Sequence, residues 1–271
     1  MASRKERPAM IEKGWIKALL LVLIYSVVSI SAGSFISSIH LWFLVSAILA
    51  LVFVYFFRVF IDRRSFVSLG FRVAMIYPDI LIGVLIAAAV VCAGAVIIFL
   101  FRGFEWTSVY LEGWDLATAF GSILLVSFSE ELVYRGYVLR NLLKSFNKWL
   151  ALIISSVLFT MVHLTNPGIP LIGIINIFLG GLVMGIAFIY SRNLWMPVGF
   201  HFGWNLFQGP LLGFPVSGFS FDSLLTMERD PGLPAISGGE FGFEASLICT
   251  LLLLVLCGAA FRRIRNLQPA M

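Results

Sequence analysis

Residues 79–101 read DILIGVLIAAAVVCAGAVIIFLF and contain a single charged side chain, that of Asp79. A helix needs about 20 such residues to cross the hydrocarbon core of a bilayer. Apolar blocks of similar length recur along the chain, at about 16–36, 41–60, 116–134, 149–165, 171–190, 195–213 and 244–261. The sequence therefore predicts an all-α fold in one transmembrane domain over residues 1–271, a polytopic membrane helix bundle of about eight transmembrane helices.

The composition excludes a water-soluble protein. The chain is 60% hydrophobic and 12% charged, with a mean hydropathy of +1.00, whereas a soluble domain averages about 25% charged residues. So few charges could not cover the surface of a soluble fold of this length. The net charge of +5 could suggest a nucleic-acid partner. The basic residues stand at the ends of apolar blocks, however, so they indicate the lipid bilayer as partner and no nucleic acid.

The basic residues also predict the orientation of the spans. Of the 19 Lys and Arg residues, only Arg102 and Arg229 fall on one side of the predicted membrane. Because cytoplasmic loops are the ones rich in Lys and Arg, we expect both termini to be cytoplasmic. The remaining Lys and Arg residues fall on the predicted cytoplasmic side, and they are Arg4, Lys5, Arg7, Lys13, Lys17, Arg58, Arg63, Arg64, Arg72, Arg135, Arg140, Lys144, Lys148, Arg192, Arg262, Arg263 and Arg265.

Two connections differ in composition from the spans. Residues 135–148 are basic and amphipathic, so we expect them to continue the fourth span as a helix lying at the cytoplasmic surface. Residues 215–243 contain several prolines and many glycines, with interleaved phenylalanines. This composition indicates an external loop resting on the membrane surface, and the functional alternative is a lid or a substrate-guiding loop.

Polar side chains inside the spans point to a functional site, because ionisable groups within a membrane are costly. Residues 129–136 read SEELVYRG. Glu131 and Arg135 are four residues apart with the acid first, which is the better orientation for an ion pair on a helix. Adjacent residues are about 100° apart around a helix, so Glu130 faces a different neighbour. A carboxylate without a partner in such a site suits a general base.

Two further clusters contain histidine. Phe159 and His163 are one turn apart in the fifth block, and His201 and Asn205 are one turn apart in the seventh. His201 and Asn205 can point at one spot and can both donate hydrogen bonds, so the pair can stabilise an oxyanion. His163 could hold a water together with Glu130, or ligate a metal.

Each cluster also has a purely structural interpretation. Glu131 and Arg135 could be a packing and orientation pair, and intramembrane His and Asn residues can serve as interhelical hydrogen-bond partners. The three clusters together favour function, because a glutamate, a histidine and a His-x-x-x-Asn pair on three helices can enclose one water-filled site.

The motifs E-E-x-x-x-R, F-x-x-x-H and H-x-x-x-N stand in this order on successive blocks, and here the chain resembles the CPBP family. This family, also called ABI, comprises CAAX proteases and bacteriocin-processing enzymes. The resemblance covers about residues 116–208, which would be the catalytic core, and it implies an all-helical fold with a peptide-hydrolysing site. It implies a catalytic set in which Glu130 activates a water also held by His163, with His201 and Asn205 as the oxyanion hole. The supporting residues would be Glu131, Arg135 and Phe159.

The resemblance leaves metal dependence open. The family was first described as metal-dependent, and zinc accepts Glu and two His ligands with a water in the open position. Zinc or another divalent metal held by Glu130, His163 and His201 is therefore an alternative. We favour no cofactor, because the third cluster makes a sensible oxyanion site without a metal.

The resemblance implies an intramembrane endopeptidase similar to the type II CAAX prenyl endopeptidases, which release the C-terminal tripeptide from prenylated proteins. Its partner would be a membrane-anchored protein or peptide, prenylated or not, and bacterial relatives imply a bacterial or archaeal plasma membrane. One alternative is a proton-coupled transporter, because buried Glu, His and Arg also form proton relays. Another is a non-catalytic membrane scaffold or bacteriocin immunity factor.

A single site requires one geometric condition. His163 lies 14 residues past Trp149, about 21 Å along a straight helix, whereas Glu130 falls near the cytoplasmic end of its block. The fifth helix must begin below the membrane surface or tilt strongly for the two side chains to meet. A distance above about 10 Å between them would contradict a single site, since a base acts within hydrogen-bond reach or through one water.

Overall fold

The computed structural model describes residues 10–110 and 113–267, which form a helical bundle with one small sheet. π-Helical segments follow three of the helices, at Phe57–Ile61, Leu132–Leu139 and Phe207–Leu211. The main helices of the described residues are α1 Gly14–Gly33, α2 Ile39–Phe56, α3 Ile76–Leu100, α4 Gly113–Glu131, α5 Lys148–His163, α6 Leu171–Ser191, α7 Trp195–Leu206 and α8 Leu247–Ile264.

Six helices within the described residues are long and apolar enough to cross a membrane, which confirms the predicted all-helical membrane architecture. α5 and α7, with 16 and 12 residues, extend only about 24 and 18 Å at 1.5 Å per residue. The count of eight spans therefore stays a prediction. The six, counted with their extensions, are Gly14–Gly33, Ile39–Ile61, Val73–Leu100, Gly113–Leu142, Leu171–Ser191 and Leu247–Ile264.

The outer faces of these helices are apolar. Leu23 of α1, Leu85 of α3 and Val255 of α8 are 62%, 58% and 73% exposed. Large apolar surfaces of this kind mark a membrane or another apolar partner. A helix is also one of the two structures that satisfy every backbone polar group inside hydrocarbon. The fold is therefore suited to lipid on its outside and to polar groups on its inside.

Several loops rich in Lys and Arg meet at one end of the bundle. The backbone N–H of Trp15, at the start of α1, donates to Ser145 Oγ at 3.1 Å in the α4–α5 connection. Lys148 Nζ donates to the carbonyl of Leu267 at 2.5 Å, after α8. The assignment of this end to the cytoplasm stays a prediction, and part of its basis, Arg4, Lys5 and Arg7, lies outside the described residues.

Glycines allow α7 to pack directly on the backbone of α3. A Cβ on Gly199 would overlap the carbonyl oxygen of Ile80, and a Cβ on Gly203 would lie 2.8 Å from Val84 Cα. Small residues let membrane helices approach this closely. His201 lies between these two glycines, so the contact between α3 and α7 determines where its imidazole points.

A buried polar contact fixes the start of α7 against α3. Asn193 Oδ1 accepts a hydrogen bond from the N–H of Trp195 at 2.8 Å, and Asn193 Nδ2 donates to the carboxylate of Asp79. Asp79 is 6% exposed and Asn193 is fully buried. The two contacts join the first turn of α3 to the first turn of α7.

We expect Gly199→Ala to destabilise the protein, because the new methyl group must force α3 and α7 apart. Overpacking of this kind costs about 1–3 kcal/mol, and thermal unfolding in detergent would measure it as a lower melting temperature. The matched control is Gly258→Ala in α8, where a Cβ would meet no atom within 4 Å. A Gly199→Ala variant as stable as the Gly258→Ala variant would contradict the close contact.

The connection between α7 and α8 folds back onto the bundle. Phe214, Phe241 and Phe243 are at most 1% exposed, and strand β1 (Phe104–Val109) pairs antiparallel with β2 (Leu225–Arg229). The expectation of a loop resting on the membrane surface is therefore wrong for these phenylalanines. The physical reason is that burying an aromatic ring in the protein core removes a large apolar area from water.

Candidate active site

Glu130 and Glu131 end α4, immediately before the π-helical segment Leu132–Leu139. This segment and a last turn to Leu142 extend the helix beyond the predicted span, and residues 132–139 are all buried. The expected surface helix over 135–148 is therefore wrong in its first part, because Arg135 lies inside the bundle. π-Helical insertions in helices are frequent at functional sites.

Because the α4 helix continues to Leu142, Glu130 and His163 lie at similar distances from the end of the bundle where that helix ends and α5 begins. Glu130 lies 12 residues before Leu142, and His163 lies 15 residues after Lys148, roughly 18 and 22 Å along straight helices. The distance between Glu130 Oε2 and His163 Nε2 is 3.7 Å. The geometric condition for a single site is met.

Glu131 joins α4 to α7 through a buried charge network. Its Oε1 accepts a hydrogen bond from Arg135 NH1 at 2.5 Å and another from His201 Nδ1 at 2.9 Å. Arg135 NH2 also donates to the carbonyl of Gly181 at 3.2 Å. The side chains of Glu131 and Arg135 are 0% and 1% exposed. The predicted ion pair is confirmed, and it also orients the His201 ring.

His163 is oriented by its own helix. The carbonyl of Phe159 can only accept, so the contact of 2.7 Å with His163 Nδ1 is a hydrogen bond that the ring donates. By the same argument, His201 donates from Nδ1 to the carboxylate of Glu131. Fixing one ring nitrogen of a histidine determines what the other presents. In both residues it is Nε2 that faces Glu130.

Glu130 lies between the two imidazoles. Its Oε2 is 3.7 Å from His163 Nε2 and 3.9 Å from His201 Nε2. This oxygen is buried and has no hydrogen-bond partner among the described residues. Contacts of this length are too long for direct hydrogen bonds and match the spacing that a shared water bridges. α4, α5 and α7 thus bring one carboxylate and two ring nitrogens together.

Phe159 packs among the charged groups. Its ring centroid lies 4.5 Å from the guanidinium carbon of Arg135 and 4.5 Å from the His163 ring. The His201 ring is 6.2 Å away, roughly perpendicular to it. The guanidinium over the aromatic face is a favourable cation–π contact. Phe159 therefore separates the ion pair from His163 and limits the positions that the ring can take.

Asn205 lies one turn after His201 and is 5% exposed. Its Nδ2 is 3.5 Å from the hydroxyl oxygen of Ser127, on α4. An amide nitrogen carries two N–H donors, so one remains for another acceptor. Sequence reasoning missed Ser127, although its position one turn before Glu131 is the signal that could have found it.

His163, His201 and Asn205, but not Glu130, line a cavity between α5, α6, α7 and α8 that measures about 460 Å³ with its open mouth. Its wall includes His163, His201 and Asn205 and the apolar side chains of Met184 and Leu253. A second cavity, of about 600 Å³, reaches Glu130 from the side of α1 and α2. The site is therefore approached from two sides of the bundle.

The metal alternative requires several ligand side chains grouped around one point. Within 10–110 and 113–267, no group of three or more His, Cys, Asp or Glu side chains is arranged to hold a metal ion. Zinc lies about 2.0–2.2 Å from each ligand atom, so two ligand atoms of one tetrahedral site stand roughly 3.4 Å apart. The separations of 3.7 and 3.9 Å between Glu130 Oε2 and the two imidazoles are only slightly longer. Zinc held by Glu130, His163 and His201 therefore stays an alternative, which a chelator tests.

The fold and the site together define an integral membrane helix bundle with a buried carboxylate–histidine centre. Residues 112–207 match the family model of Rce1-like, type II CAAX prenyl endopeptidases. This match confirms the predicted resemblance to the CAAX protease family over that segment. No curated protein matches the chain significantly.

Proposed function

We propose that the protein is an intramembrane endopeptidase in which Glu130 activates the attacking water. The observation that carries the proposal is the position of Glu130 Oε2, unpartnered and within 4 Å of Nε2 of both His163 and His201. A water there can donate hydrogen bonds to Glu130 Oε2 and to one unprotonated Nε2, and it can accept a third from an Nε2 that carries a proton. The family match to CAAX prenyl endopeptidases supports peptide hydrolysis as the reaction.

In the proposed reaction, Glu130 takes a proton from the water while the water oxygen attacks the scissile carbonyl carbon. A tetrahedral oxyanion forms, and the free Asn205 N–H donates to it. His201 donates a second hydrogen bond to the oxyanion when its Nε2 carries a proton, while its Nδ1–H donates to the Glu131 carboxylate. Collapse of the intermediate breaks the C–N bond, and the proton held by Glu130 passes to the leaving amine.

The proposed substrate is a membrane-anchored peptide with or without a prenyl group. The cavity beside the reacting groups is mainly apolar and opens among helices that face lipid, so a lipid-anchored chain reaches the site without leaving the bilayer. Residues 116–208 form the proposed catalytic core of the single domain. We also propose that both termini are cytoplasmic and that the protein lies in a bacterial or archaeal plasma membrane.

Asn205→Ala should slow cleavage of a membrane-anchored peptide. Removing one oxyanion donor costs about 10²–10³ in kcat, and the loss should appear in kcat more than in KM, because the oxyanion exists only after attack. Steady-state kinetics on the purified protein would measure it. A loss confined to KM would assign Asn205 to ground-state binding instead.

A further inference from the structure

The cavity beside the reacting groups has a second polar wall that the reaction does not use. Asn176 of α6 and Ser217 and Glu244 of the α7–α8 connection line the same cavity as His163 and His201. Ser217 and Glu244 lie outside the matched family segment, 112–207. The connection between α7 and α8 therefore contributes a wall of its own to the site.

Glu244 is held in a fixed orientation. Its Oε2 accepts hydrogen bonds from the backbone N–H of Ser217 at 2.8 Å and from the Ser217 hydroxyl at 2.7 Å. Its backbone carbonyl accepts from Asn176 Nδ2 at 2.8 Å. Both contacts of the Oε2 come from neutral donors. Among the residues that the structure describes, no Lys, Arg or His side chain forms an ion pair with Glu244.

Asn176 adds an unused acceptor to this wall. The residue is 2% exposed, and its Nδ2 donates hydrogen bonds to the carbonyls of Glu244 and Ser246. Its Oδ1 is buried without a hydrogen-bond partner among the described residues. An orphaned buried acceptor costs free energy unless a ligand supplies a donor. The two residues line the same cavity, and each carries a hydrogen-bond acceptor, the amide oxygen of Asn176 and the carboxylate of Glu244.

We propose that Glu244 and Asn176 form a substrate subsite for a basic side chain, Lys or Arg, close to the scissile bond. This inference rests on the proposed peptidase function. An ammonium or guanidinium group carries several N–H donors and a positive charge, so one such group would satisfy both acceptors and neutralise the carboxylate. The rest of the cavity wall is mainly apolar and suits the aliphatic stem of such a side chain.

The test compares two membrane-anchored peptides that differ at one residue, lysine or norleucine, scanned over the positions flanking the cleaved bond. Wild-type protein should cleave the lysine peptide at least about tenfold more efficiently at one position, as expected for a charge-assisted hydrogen bond. Glu244→Gln should bring the ratio of the two kcat/KM values close to one. Acetylation of the lysine should have the same effect on wild-type protein, which needs no variant to fold.

Glu240→Gln is the matched control on the same connection. The side chain of Glu240 is 93% exposed and pairs with Arg229 at 3.4 Å, so the ratio should stay at the wild-type value. Equal cleavage of both peptides at every position would overturn the subsite and leave the hydrolysis intact. If neither peptide is cleaved, the proposed peptidase function is rejected. The subsite is then tested separately, by measuring the binding of a fluorescently labelled lysine peptide. Wild-type protein must then bind it more tightly than Glu244→Gln does.

Discussion

Glu130→Gln should abolish peptide cleavage while the protein stays folded. Glutamine has the shape of glutamate but cannot take a proton, and a positioned general base contributes about 10²–10⁴ in rate. Stability should be unchanged or slightly higher, because the charged Oε2 that is replaced has no hydrogen-bond partner among the described residues. The measurement is kcat for a membrane-anchored peptide, with thermal unfolding of the same preparation.

The control for this prediction is Glu105→Gln, which changes an exposed carboxylate on β1 that does not line the cavity. Its kcat and melting temperature should both match wild type. If Glu130→Gln retains full activity, Glu130 is not the base and the water must be activated elsewhere. If it unfolds, the loss of activity carries no information about the base, and the more conservative Glu130→Asp must be measured.

Arg135→Met should produce the largest loss of stability. The change leaves the Glu131 carboxylate, 0% exposed, without its cation. Breaking a buried ion pair by removing one partner costs about 3–5 kcal/mol. The variant also loses the hydrogen bond to Gly181 and the contact with Phe159. Thermal or denaturant unfolding in detergent measures the loss, and Arg262→Met, at an exposed position on α8, is the control.

The double variant Glu131→Leu with Arg135→Met separates stability from positioning. Removing both charges should recover much of the lost stability, because no unpaired charge stays buried. Cleavage should stay low, because His201 Nδ1 has lost the acceptor that fixes its ring. An Arg135→Met single variant as stable as wild type, or full cleavage by the double variant, would each contradict the role given to this pair.

Much of the fold could be predicted because lipid imposes a simple rule on sequence. Every helix that crosses hydrocarbon must be apolar over about 20 residues, so the apolar blocks overlap α1–α8, although α7 ends at Leu206, seven residues before its block does. The rule says nothing about backbone that folds back onto protein. The burial of Phe214, Phe241 and Phe243 and the extension of α4 to Leu142 depend on contacts between distant segments, which hydropathy does not report.

The candidate site was also predictable only in part, for contacts within one helix and not for contacts between segments. The pairing of Glu131 with Arg135 and the shared face of His201 and Asn205 follow from helix periodicity, so residue spacing was enough. The hydrogen bond from His201 to Glu131 joins residues 70 positions apart, and the Ser127–Asn205 and Ser217–Glu244 contacts are also between segments. Such contacts depend on how helices pack, and a single sequence carries no direct signal for them.

The most direct test of the account is the cleavage of a farnesylated CAAX peptide by purified wild-type protein in lipid nanodiscs, after treatment with a chelator. The account predicts that the C-terminal fragment is released and identified by mass spectrometry, and that added zinc does not raise the rate. Activity that is lost on chelation and restored by zinc would contradict water activation by Glu130 alone. Folded protein that cleaves neither this peptide nor any other membrane-anchored peptide would contradict the peptidase function and favour a transporter or a scaffold.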